Sequence, residues 1–175
     1  HHRRDTATVP DKGETMRAVV ARGGKLTAES VPDPVPLQGH VLTKTLYCGI
    51  CGSDLHALQM QGSGASLAAP SCVMGHEFCA EVLDYGPGTD RRFPIGSTVC
   101  SMPMLLNTPS GPQGIGYSPD FPGGYGERMV LEERLLIRVP DGLPAERAAL
   151  TEPLAVGVHA VGQADLQPEI GKAHV

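Results

Sequence analysis

The chain has 175 residues, 41% hydrophobic and 19% charged, enough for one globular domain with its own core. A net charge of -5, with 14 Lys and Arg and no basic run beyond Arg3-Arg4 and Arg91-Arg92, argues against a nucleic-acid surface or a membrane-docking face. No window approaches the roughly 20 consecutive apolar residues of a spanning helix, and His1-His2-Arg3-Arg4-Asp5 lacks the apolar core of a signal peptide, so a soluble, cytoplasmic protein is expected.

Residues 1–15 are polar, carry Pro10 and Gly13 and open on two histidines, and read as a disordered tail or tag remnant. Order is expected from Met16. "MRAVVA" and "KLTAESV" flank Gly23-Gly24, the signature of a hairpin. After the prolines of "VPDPVP" comes a β-rich run, His40 to Cys48, and then Ser53 stands where it can cap a short helix, "DLHALQM". A small-residue loop, Gly62 to Pro70, precedes "HEFCAEVLDYG", which alternates Phe78, Ala80 and Val82 against Cys79, Glu81 and Leu83 as a half-buried strand does. "PIGSTVCSM" gives another short strand. Nearly half the residues from Pro103 to Gly124 are Gly or Pro, which predicts a long surface loop. Strands are expected over Tyr125 to Leu131 and Leu135 to Val139. Pro144 and Pro153 then stand ahead of two closing helices. With 22 Gly, 16 Pro and no Trp, the whole fits a mainly β, α+β fold of short strands and many turns.

Five cysteines, an odd number in a chain of this size, do not make a disulfide framework. Cys48 and Cys51 nevertheless stand three apart in "CGICGSDLH". A structural zinc finger needs a second close pair of ligands, which does not follow. A thioredoxin-like pair expects the start of a helix in a βαβ unit. The third reading gathers a thiol from Cys51, an imidazole from His76 and a carboxylate from Glu152 or Glu77. Sulfur, nitrogen and oxygen donors together suit one zinc ion, and three protein ligands leave a position open for chemistry. Thiolate, neutral imidazole and one carboxylate balance the divalent charge, whereas a second carboxylate weakens the Lewis acid, so one Glu is placed on the metal and the other beside it. Blander roles exist for each residue: Ser53 as a helix cap, His76 as a satisfied strand residue, Glu152 as a first-turn acid favoured by the helix dipole. Cys48, Cys72, Cys79 and Cys100 read as small buried apolar residues, and His159 as packed inside the last helix.

"CGICGSDLH", "GHE", "GGYGERMVL" and "EPLAVGVHAV", in this order and at suitable spacing from about Met16 to Ala164, resemble the zinc-dependent medium-chain dehydrogenases, the alcohol and polyol dehydrogenase family. The resemblance implies a GroES-like β-barrel with a few short helices over residues 16–166. It makes Cys51, His76 and Glu152 zinc ligands and Glu77 a neighbour able to approach the metal. It makes Asp54 the carboxylate that orients His76, and Ser53 and His56 the relay that carries the substrate proton to solvent. It implies NAD or NADP in the complete enzyme, a small alcohol or carbonyl substrate, and a homodimer or homotetramer.

Two departures stand out. The four-Cys structural zinc lobe common in the family has no counterpart after Cys100, so one zinc is expected. No strand, G-x-G-x-x-G turn and helix of a complete Rossmann domain occurs either. "EIGKAHV" resembles the family's closing segment, so residues 167–175 are expected to follow a coenzyme domain missing at about Pro168-Glu169, and the chain by itself is expected to be inactive. The alternative function is a non-enzymatic zinc-binding or assembly module on the same fold. A zinc-free quinone reductase relative is weaker, because that branch lacks the Cys51, His76 and Glu152 set.

Overall fold

The computed structural model describes residues 13–63 and 70–164. The expected tail up to residue 12, most of the small-residue loop, residues 167–175 and the Pro168-Glu169 junction lie outside the described residues.

Two antiparallel sheets dominate. β1 (Thr15–Arg22) and β2 (Lys25–Pro32) pair along their whole length, from Thr15 opposite Pro32 to Arg22 opposite Lys25. Gly23 and Gly24 join them with φ of 56° and 79°, the left-handed conformations that a two-residue hairpin loop requires. β4 (Ser71–Val73), which the sequence reading missed, pairs with the other edge of β1. The larger sheet has the order β10-β6-β5-β3-β9. Its centre is β3 (His40–Cys48), held between β5 (Phe78–Tyr85) and β9 (Arg128–Glu132), with β6 (Thr98–Ser101) and β10 (Leu136–Arg138) beyond β5. A bridge between Ala18 and Gly126 links β1 to the segment entering β9. That bridge explains why β9 begins later than the alternating pattern suggests: Gly123, Gly124 and Tyr125 donate their amides to Val73, Gly75 and Met74 instead.

The segment from Pro103 to Gly124 differs from its expectation. Instead of a loop lying on the surface, it carries a two-stranded ribbon, β7 (Met104–Leu105) with β8 (Gln113–Gly114), and sends side chains into the core of the large sheet. Leu105 and Ile115 are fully buried and Phe121 nearly so, packed in one cluster with Val82, Val99 and Met129. Gly and Pro shape the turns, but three apolar residues spaced among them anchor the segment by removing their surface from water.

The helices are α1 (Gly52–Ser63), the single turn α2 (Ala145–Ala148) and α3 (Thr151–Gln163). Pro153 lies in the first turn of α3, as expected, while Pro144 stands just ahead of α2 as its N-cap. Among the described residues α3 has no buried side chain, so His159 is exposed there rather than packed, contrary to the expectation from its apolar setting in sequence. Cys72, Cys79 and Cys100 are buried as expected, while Cys48 is only half-buried.

The anchoring role of the ribbon sets up a comparison of neighbours. Leu105→Ala is expected to lower unfolding free energy by about 2–5 kcal/mol, measured by urea denaturation, whereas Leu106→Ala, at a position 37% exposed, is expected to cost well under half of that.

Candidate metal centre and its cavity

β3 ends at Cys48 and the chain bends through Gly49 to Cys51 before α1 begins. The first turn is fixed by Asp54, whose amide donates to Cys51 O at 3.1 Å while its carboxylate accepts the Cys51 amide at 3.0 Å. A second turn, ahead of β5, brings in His76 and Glu77. It depends on Gly75, whose φ of 99° excludes most side chains, and a Cβ there would lie 2.8 Å from Cys48 Sγ and from the Tyr125 ring. The Gly49 amide donates to Glu77 O at 2.7 Å, which ties the two turns together.

These turns place donor atoms of Cys51, His76 and Glu77 within 4.8 Å of one another, with His76 and Glu77 buried and Cys51 half-buried. Glu152 does not join them. It sits half-buried in the first turn of α3 and lines the cavity that His76 also lines.

Behind the donors lies a hydrogen-bonded carboxylate. Asp54 is 3% exposed and its Oδ1 is 3.3 Å from His76 Nδ1. The Tyr125 hydroxyl is 3.0 Å from Asp54 Oδ2 and 3.1 Å from Gly49 O, so its single proton is shared between the two acceptors. Burial pushes the Asp54 carboxyl up, but the bonds from His76, the Cys51 amide and Tyr125 outweigh it and hold the group below the usual carboxylate range. The same bond raises His76 to about 9 against the opposing effect of burial. A cation at this site has to displace the His76 proton. Cys48, by contrast, is pushed up to about 12, chiefly by burial, and stays a thiol. The two cysteines of the C-x-x-C are therefore unlike: one stands in the donor set and the other is a packing residue.

Ser53 does not serve as a helix cap. It is exposed inside the first turn of α1, and its hydroxyl lies 3.0 Å from the Tyr117 hydroxyl and 3.5 Å from His76 Nε2. Among the described residues no hydrogen bond joins it to His56, which is exposed on the same helix. Tyr117 is the residue that sequence reasoning missed. Its hydroxyl is also 3.2 Å from His76 Nδ1 and its ring lies 5.4 Å from the imidazole. Its one signal was being an aromatic in a run of Gly, Pro and Ser.

A cavity of about 650 Å³ opens beside His76 and Tyr117, between the Met102–Met104 segment, Ile137 of β10 and the first turns of α3. Donor set, hydroxyls and cavity together match what a metal-assisted reaction on a small organic molecule needs. Residues 37–141 also match the sequence model of the alcohol dehydrogenase GroES-like domain.

The chain belongs to that family. The (R,R)-butanediol dehydrogenase of Bacillus subtilis (strain 168) is 32% identical over 79% of this chain and 44% of its own length. The structure of acetophenone reductase from Geotrichum candidum NBRC 4597, in complex with NAD, is 30% identical, with a TM-score of 0.76 over 89% of this chain and 49% of that one. A protein described as a zinc-binding dehydrogenase from Sinorhizobium meliloti 1021, bound to NADP, is 26% identical, with a TM-score of 0.74 over 86% of this chain and 46% of that one. The chain thus spans about half the length of these relatives. The GroES-like domain match contains Cys51, Ser53, Asp54, His76, Glu77 and Tyr117, and ends before Glu152.

The electrostatic reading has a direct check. In the metal-free chain, Asp54→Asn is expected to bring the His76 titration midpoint down from about 9 toward the roughly 6.5 of a free imidazole, followed by NMR of the ring protons. A midpoint that stays put would remove Asp54 as the cause.

Proposed function

We propose that the chain is the zinc-binding, substrate-side part of an NAD(P)-dependent dehydrogenase that oxidises an alcohol to a carbonyl. The observation that supports this best is the meeting of a thiol, an imidazole and a carboxylate within 4.8 Å at the edge of a cavity. The donor chemistry fits zinc, a borderline-soft ion that accepts sulfur, nitrogen and oxygen together. Cys51, His76 and Glu77 would hold it, and Glu152, on the cavity wall, is the carboxylate beside it. Zinc, when bound, supplies a Lewis acid that lowers the pKa of an alcohol or polarises a carbonyl.

The rest of the chemistry falls to this chain's own residues. Asp54 fixes the tautomer and ring orientation of His76, so that Nδ1 faces the carboxylate and Nε2 faces the other donors. Ser53, exposed and beside His76, would take the hydroxyl proton of the substrate while passing its own proton on, and NAD(P), when bound, would supply the hydride acceptor. Tyr117 holds the Ser53 oxygen in place. His56, exposed on the same helix, is the route to solvent. Because the glycine-rich turn of a dinucleotide site is absent from the sequence, the coenzyme on this reading is held by polypeptide outside these residues.

On this reading the protein works in the cytoplasm as a homodimer or homotetramer on a small alcohol or carbonyl compound. Among the described residues, no helix is long and apolar enough to cross a membrane.

Metal content tests the donor assignment. The zinc-loaded chain should hold about one ion by elemental analysis after dialysis, and Cys51→Ser and His76→Ala should each lose most of it. Glu77→Gln should weaken retention more than Glu152→Gln. Full retention in both Cys51→Ser and His76→Ala would overturn the proposal.

A further inference from the structure

We infer that Cys79 and Cys100 form a dithiol that a peroxide closes into a cross-strand disulfide, and that the closing loosens the corner between α2 and α3. The inference uses neither the metal centre nor the dehydrogenase reading.

The pairing of β5 with β6 sets Ala80 opposite Val99 and Glu81 opposite Thr98. One step further along the same antiparallel register, Cys79 stands opposite Cys100. The Val82 amide donates to Ser97 O at 2.9 Å, and the Thr98 carbonyl accepts from the Val139 amide on the other side of β6. Backbone groups alternate in direction along a strand, so Cys100, like Thr98, turns its own away from β5. Cys79 and Cys100 are thus a non-hydrogen-bonded pair, the kind whose Cα atoms lie closer, about 4.5 Å apart. That falls inside the span a disulfide bridges, about 4.4–6.8 Å. Opposed residues share a face of the sheet, and both thiols pack in one buried cluster with Val139, Ala148 and Ala149.

The two thiols are not equivalent. The Cys79 proton is directed to the Cys100 sulfur, which together with burial pushes Cys79 up and, against burial, holds Cys100 below the usual thiol range. Cys100 is therefore the sulfur that reacts first. Its thiolate attacks one oxygen of hydrogen peroxide, the O–O bond breaks and hydroxide leaves, which makes Cys100 a sulfenic acid. The Cys79 sulfur then attacks the Cys100 sulfur, the S–S bond forms, the S–O bond breaks, and hydroxide departs with the Cys79 proton as water. In sum, the two thiols give up two electrons and two protons, and the peroxide is reduced to two waters. The cover over the pair is thin: α2 is a single turn, and the residues it lays on the sulfurs are alanines. A brief local opening admits a molecule little larger than water.

The consequence lies at Ala148. As a thiol, Cys100 donates to Ala148 O at 3.1 Å, and the Thr151 hydroxyl donates to the same oxygen at 2.7 Å. Ala148 closes α2, Thr151 opens α3, and Glu152 follows. A disulfide sulfur has no proton to give, so oxidation removes one of the two side-chain donors on that carbonyl. Loss of one such bond raises local opening by about two- to tenfold.

The test treats the folded, zinc-loaded chain with hydrogen peroxide, alkylates the remaining thiols, and digests with trypsin and a Glu-specific protease. These cuts leave Cys79 alone in the peptide Phe78–Glu81 and Cys100 alone in Phe93–Glu127, so a linked mass identifies the pair. The linked peptides are expected as the main disulfide, to disappear on treatment with dithiothreitol, and to be absent from Cys79→Ala. In the oxidised chain the amides of Ala149 and Leu150 are expected to exchange about two- to tenfold faster. Retention of zinc by the linked form would support a reaction that bypasses Cys51. Recovery of Cys79 and Cys100 as alkylated thiols from the oxidised folded chain, or their linkage only after unfolding in urea, would overturn the inference. Unchanged exchange in the linked form would overturn its effect on the corner.

Discussion

The contact on which the site depends is the one between Asp54 and His76. A carboxylate 3% exposed and an imidazole 7% exposed face each other at 3.3 Å, and in the metal-free chain each favours the charged form of the other. Because Asp54 also accepts the Cys51 amide and faces the Tyr125 hydroxyl, this one side chain ties together the end of β3, the start of α1, the turn before β5 and the segment that enters β9. Removing one partner of such a pair leaves a buried charge without compensation, which is far more costly than never having placed it there.

The architecture around that contact divides the labour. The large sheet supplies rigidity through β3, whose neighbours β5 and β9 both pair along most of its length. The turns at its C-terminal end supply chemistry, as is usual where loops are held by a stiff frame. The Pro103–Gly124 segment belongs to both parts. Leu105 and Ile115 fasten it to the core, and Tyr117, two residues further on, is thereby held against Ser53 and His76.

Strands β1, β2, β3 and β5 were legible because their signals are local: alternation, β-branched residues and a Gly-Gly turn. The family was legible from four short motifs in order, and residues 37–141 match its sequence model. What was not legible depends on tertiary partners. β4 is three residues long and exists only because the free edge of β1 receives it. A Gly- and Pro-rich stretch gives no sign that its few apolar residues are buried, so Pro103–Gly124 read as surface. Tyr117 has no motif; its place follows from how that segment packs. For the carboxylate, the residues alone left Glu77 and Glu152 open and the resemblance put Glu152 on the metal, whereas the turn at Gly75 sets Glu77 among the donors and α3 sets Glu152 on the cavity wall. His159 was misjudged for the opposite reason: an apolar sequence around a helix does not by itself provide something to pack against.

α3 has a further consequence. Among the described residues its 13 positions bury no side chain, and Leu154, Val156, Val158 and Val161 stand exposed, an apolar surface of the kind that marks a contact with further polypeptide. In this stretch of chain alone, the amides of α3 should exchange with solvent sooner than those of β3 or β5. The cavity thus has one wall fastened to a sheet and one whose firmness is set by whatever covers α3.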